Sequence, residues 1–94
     1  MKKAMTYDVA EFLETDEDIV AYLNAALDDG DPALVSAALG DIARARGMTQ
    51  LAKDTGITRD GLYKALSPTG NPSFGTVQKV VKALGYKLDV TLPA

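Results

Sequence analysis

Apolar positions recur at helical spacing along most of the chain. Tyr7, Val9, Phe12 and Leu13 predict a first helical turn or two from about Asp8. Ile19, Tyr22, Leu23, Ala26 and Leu27 predict a second helix, opened by a capping-box pair of Thr15 and Asp18 and closed at Asp29-Gly30. Asp31-Pro32 then places an N-cap residue before a proline at the first helical position. Val35, Ala38, Leu39 and Ile42 supply that third helix with its stripe, and Arg44, Arg46 and Gly47 close it.

Met48 to Leu66 reads as two short helices, Thr49–Asp54 and a second capped by Thr58, joined at Thr55-Gly56-Ile57. Gly56 supplies the left-handed conformation that such a turn needs. On a 3.6-residue wheel Leu62, Ala65 and Leu66 face inward, while Asp60 and Lys64 face outward, flanked by Arg59, Gly61 and Tyr63. This is the pattern of a helix-turn-helix. Residues 67–72 are a loop by composition, and Ser73 caps a last helix carrying Val77, Val80, Val81 and Leu84 and ending at Gly85.

Beyond Gly85 the period changes to two: Tyr86, Leu88, Val90 and Leu92 alternate with Lys87, Asp89 and Thr91, which predicts a strand. A lone strand leaves its amides and carbonyls unpaired. The simplest partner is the same strand of a second copy, antiparallel about a two-fold axis, which gives a homodimer through Tyr86–Leu92.

Composition narrows the function. Ninety-four residues make one small domain, near the low end of what supports a core without staples. Cysteine and histidine are both missing, which removes disulfides, thiolate ligands, the usual general base and the commonest metal ligand. No cofactor, metal site or enzyme activity is expected. The lysines at 2 and 3 are followed by no apolar signal region and no run reaches membrane-span length, so a cytoplasmic protein with no membrane partner is expected.

The net charge of −3 hides a split. Residues 1–43 hold two Lys/Arg against ten Asp/Glu, a balance of −8, whereas residues 44–94 hold eight against three, a balance of +5. Two surfaces with different partners are one reading; two solvated faces are the other. The acidic run Asp28-Asp29-Gly30-Asp31 fails as a calcium loop, because Gly30 at the sixth position would put Ala25 first and Leu27 third. Asp16-Glu17-Asp18 sits where a helix dipole favours acids without any catalytic role.

The run TQLAKDTGITRDGLYKAL, followed by NPSFGTVQKVVKALG, resembles the Xre/Cro-type helix-turn-helix superfamily. With the acidic YDVAEFL and DIVAYLNAAL segments ahead of it, the chain looks like the addiction-module antidote branch, the HigA-like antitoxins and prophage regulators. GLYKALSPTGNPSF is the most specific piece. The resemblance implies an all-α, compact five- to six-helix, lambda-repressor-like domain over residues 1–94. Its parts would be acidic N-terminal helices (1–47), the helix-turn-helix (48–66), a loop and last helix (67–85) and one short C-terminal β-strand (86–92) pairing across a homodimer.

It further implies a repressor of its own operon, binding double-stranded operator DNA, that neutralises a basic RelE/ParE-like ribonuclease toxin. Two rivals stand beside this: a prophage-type regulator with no toxin, and a protein-only inhibitor. One departure matters. Thr49-Gln50-Leu51-Ala52 lacks the two residues that commonly separate Thr-Gln from Leu-Ala, so Gln50 stands equally as phosphate contact or as solvated helix surface.

Geometry nominates Arg59, Asp60, Tyr63 and Lys64 on the outer face and start of a recognition helix, and Thr58 at its cap, Gly61 within it and Ser73 at the N-terminus of the last helix complete the expected DNA-binding set. Arg59 and Lys64 suit guanine edges or phosphates. Asp60 is accounted for by the first turn of its helix, and Tyr63 lies on the boundary between core and phosphate. Gly61, costing up to ~1 kcal/mol on an exposed helix, allows close backbone approach to DNA or has no role. Arg46, Lys79 and Lys82 read as solvated charge. Glu11, Glu14, Asp16, Glu17 and Asp28 are the acids open to a basic toxin.

Overall fold

A computed structural model describes residues 13–93. They form five helices: α1 (Asp16–Asp29), α2 (Pro32–Arg46), α3 (Met48–Thr55), α4 (Arg59–Ala65) and α5 (Phe74–Ala83). The all-α expectation holds, and the expected helix near Asp8 lies outside the described residues.

Local chemistry sets each boundary. Thr15 Oγ1 accepts from the Asp18 amide at 3.1 Å while Asp18 accepts from the Thr15 amide at 3.3 Å, so a capping box forms with aspartate in the usual place of glutamate. Asp31 caps α2 through the Ala33 amide at 2.9 Å, with Pro32 at the first helical position. Helix α3 starts one residue earlier than its polar pattern suggests. Gly47, at φ 115°, ends α2 and begins α3 at once, and Met48 enters the core as the first residue of the new helix.

The centre of the fold is α2. Ser36, Ala38, Leu39, Gly40, Ile42 and Ala43 are all buried, a wider face than the expected stripe. Small residues at 38, 40 and 43 let other helices approach it closely. Helix α1 lies against α2 through Ile19 and Leu23, and α3 and α4 pack on its other flank. Leu39, Ile42, Leu62 and Val80 are fully enclosed at the shared core. Truncating one such side chain to alanine typically costs about 2–5 kcal/mol.

The segment after Gly85 differs from expectation. Residues 86–92 have no regular secondary structure, and no strand occurs among the described residues. A strand exists only with a ladder partner, and the described residues supply none.

Candidate nucleic-acid interface

The turn between α3 and α4 is held by its own backbone and by one side chain. Gly56, at φ 74°, gives its amide to the Ala52 carbonyl at 2.9 Å. Thr55 Oγ1 donates to the Leu51 carbonyl at 2.8 Å and accepts from the Ile57 amide at 3.2 Å, spanning the turn from both sides. Thr58 Oγ1 then accepts from the Gly61 amide at 3.0 Å and starts α4. The two helices are thereby fixed relative to one another, with Leu62 and Leu66 buried and Arg59, Asp60, Tyr63 and Lys64 exposed.

Of the seven nominated residues, six lie on α4 or at its cap, and Ser73 stands apart at the next helix. Arg59 lies over the Tyr63 ring, 5.9 Å from its centroid, which pre-orders a guanidinium and an aromatic edge on one surface. Among the described residues neither Arg59 nor Lys64 has an ion-pair partner, so both charges are available to an anion. Tyr63 is 44% exposed and lines a hollow of about 240 Å³ with Asp41, Arg44, Leu66, Ser67 and Pro68. Its ring thus serves the surface rather than the core.

Two nominated residues are occupied locally. Thr58 and Ser73 both spend their hydroxyls on helix caps, Ser73 accepting from the Thr76 amide at 3.1 Å. Asp60, one residue into α4, forms no side-chain hydrogen bond among the described residues. Its effect on the helix is that of a charge near the positive end of the dipole.

Gly61 is not on the open face the sequence pattern suggests. It is half-buried, and a Cβ there would stand 3.0 Å from Thr58 Oγ1 and 3.2 Å from Ile57 Cγ2, a close fit that those side chains must yield slightly to admit. Gln50 donates to Asp54 at 2.9 Å along the surface of α3.

Arg46 is more than solvated charge. It donates to the Leu84 carbonyl at 2.9 Å, to Asp16 at 3.2 Å and to the Tyr86 hydroxyl at 2.6 Å, and it lies over the Tyr86 ring at 5.4 Å. The Tyr86 hydroxyl in turn donates to Asp16 at 2.7 Å, and burial followed by this bond raises its pKa. One arginine thus joins the start of α1, the end of α5 and the base of the C-terminal tail. Arg44 pairs with Asp41, which also accepts from the Tyr22 hydroxyl at 2.6 Å, and so holds a guanidinium beside Tyr63 and Ser67.

The family described as "Probable addiction module antidote protein" matches residues 3–92. The chain belongs to this antidote family. An antidote family is not an enzyme family. A Haemophilus influenzae protein described only as uncharacterized is 57% identical over 84 residues, covering 89% of this chain and 87% of that one. No solved structure matches the chain. Membership in an antidote family implies a toxin partner. Among the described residues no helix is long and apolar enough to cross a membrane, and no cluster of carboxylates could hold a metal.

Proposed function

We propose that this antidote is a dimeric, cytoplasmic DNA-binding repressor of its own operon that also neutralises a basic, RelE/ParE-like ribonuclease toxin. The single observation that carries the DNA half is α4. It is a helix locked at its start by Thr58, seated by Leu62 and Leu66, and presenting Arg59, Tyr63 and Lys64 with no competing acid partner among the described residues. Such a helix delivers donors to base edges and phosphates in a major groove, and two copies about a dyad read successive grooves about 34 Å apart. Arg59 and Lys64 carry the contact. Tyr63 orders Arg59, and Thr58, Asp60 and Gly61 shape the helix start. Ser73 and the amides after it lie at a second helix start, where a phosphate is favoured.

The toxin half rests on family membership and on charge. Glu14, Asp16, Glu17 and Asp18 crowd one end of α1, Asp28 and Asp29 the other, and all are exposed, with Val20 and Leu27 exposed between them. A surface that holds RNA is basic, and it meets an acidic, partly apolar helix favourably.

Co-expression with the product of the adjacent gene tests the pair of roles. The antidote should rescue growth, co-purify with that product, and retard the DNA upstream of its own gene. Rescue without retardation would reduce it to a protein-only inhibitor, and retardation without a toxic neighbour would make it a stand-alone regulator.

A further inference from the structure

Among the described residues, Lys87–Pro93 exchanges no backbone–backbone hydrogen bond. Its apolar side runs outward from half-buried Tyr86 through Leu88, 37% exposed, to Val90 at 95% and Leu92 at 93%. Lys87, Asp89 and Thr91 occupy the alternate positions and are all exposed. The base of this tail is fixed: the Tyr86 amide donates to the Val81 carbonyl at 3.1 Å, and its hydroxyl is held by Asp16 and Arg46. Beside Tyr86 and Leu88 lies a hollow of about 370 Å³, walled also by Gln78, Val81, Lys82 and Lys87.

We propose that a second copy of this chain occupies that hollow with its Val90, the two tails pairing antiparallel in a register centred on Leu88. The inference rests on the dimer reading above and assigns its geometry. A two-fold axis normal to a ribbon puts each residue opposite one of the same parity, so the apolar residues of both tails share one face.

Charge then selects the centre. With Leu88 on the axis, Lys87 faces the partner's Asp89 and Asp89 faces the partner's Lys87, two opposite-charge pairs across the strands. Tyr86 faces the partner's Val90, which brings that side chain to the hollow. Moving the centre to Asp89 sets two carboxylates opposite one another, and moving it to Lys87 does the same with two ammonium groups; both are unfavourable. Centred on Val90, the ribbon has no charge pair and sets Pro93, which lacks an amide, opposite Lys87. Leu88 is the centre that satisfies both patterns.

The chain has no cysteine, so single replacements report the axis directly. Directly opposed antiparallel residues have Cα atoms about 4.5–5.5 Å apart, within disulfide reach. Leu88→Cys should cross-link under mild oxidation, with Asp89→Cys and Val90→Cys lagging well behind. Lys87→Asp should weaken dimerisation in sedimentation roughly tenfold or more, and the double exchange Lys87→Asp with Asp89→Lys should restore it, with helicity by circular dichroism unchanged throughout. Preferred cross-linking at 89 or 90, or a dimer indifferent to the charge reversal, overturns the register while leaving the dimer. A wild-type chain that sediments as a monomer at every concentration overturns the dimer reading and the register together.

Discussion

Gly40 of α2 lies so close to Leu66 that a Cβ at position 40 would stand 3.2 Å from the Leu66 carbonyl carbon and overlap its oxygen. This contact seats the end of α4 directly on the central helix. Because the obstacle is backbone, it cannot turn aside as a flexible side chain would. Gly40→Ala should therefore destabilise the fold by about 1–3 kcal/mol, the range for overpacking a tight interior, despite alanine's better helix propensity. Urea denaturation followed by circular dichroism measures it; an unchanged or raised midpoint would mean that α4 is not seated there.

Arg46 joins parts of the chain that are far apart in sequence, reaching Asp16, Leu84 and Tyr86. It is still partly solvated, with its side chain 39% exposed in its pair with Asp16, so the Coulombic share is small. The greater effect is on the tail. Arg46→Ala should cost about 1–2 kcal/mol through the lost hydrogen bonds and ring contact. It should also raise amide exchange at Tyr86–Leu88 more than in α3. Uniform exchange changes would assign Arg46 to general stability alone.

The Tyr22 hydroxyl, half-buried and donating to Asp41, has its pKa pushed up to about 12 from 10.0, by burial first and by that bond second. The native state therefore favours the neutral phenol. That contribution is complete below the unfolded value of about 10 and is lost as pH rises through about 12, because only the unfolded chain releases its proton in between. Denaturation midpoints measured across that window should fall in the wild type and fall less in Tyr22→Phe. Tyr86, raised in the same direction, supplies a background slope common to both.

The helices were legible because their caps are local. Thr15 with Asp18, Asp31 with Pro32, Thr58 and Ser73 are signals within three residues of the bonds they make. Gly56 was legible for the same reason: a turn between two short amphipathic runs needs a left-handed residue, and it has one. Arg46, the Tyr22–Asp41 bond and the Gly40–Leu66 contact were not legible. Each joins residues at least 19 positions apart, and no periodicity encodes which polar side chain will meet which across a packed helix pair. Gly61 is half-buried where a wheel makes it exposed, because a wheel places a residue by angle and takes no account of the Thr58 and Ile57 side chains beside it. For α4, the outward Arg59, Asp60, Tyr63 and Lys64 were legible from the inward Leu62 and Leu66, whereas the Arg59–Tyr63 stacking and the nearby Arg44 depend on tertiary placement.

On the proposed function, the outward face of α4 holds DNA through Arg59 and Lys64. Fluorescence anisotropy with the DNA upstream of the gene, measured as a function of salt, tests it most directly. Wild-type affinity should fall steeply with salt, and Arg59→Ala with Lys64→Ala should weaken binding at least tenfold. The log–log slope should flatten by about 0.9 for each phosphate contact removed, while Lys79→Ala with Lys82→Ala on α5 leaves affinity within twofold. A flat salt response in the wild type, or equal losses from both pairs of substitutions, would contradict the account.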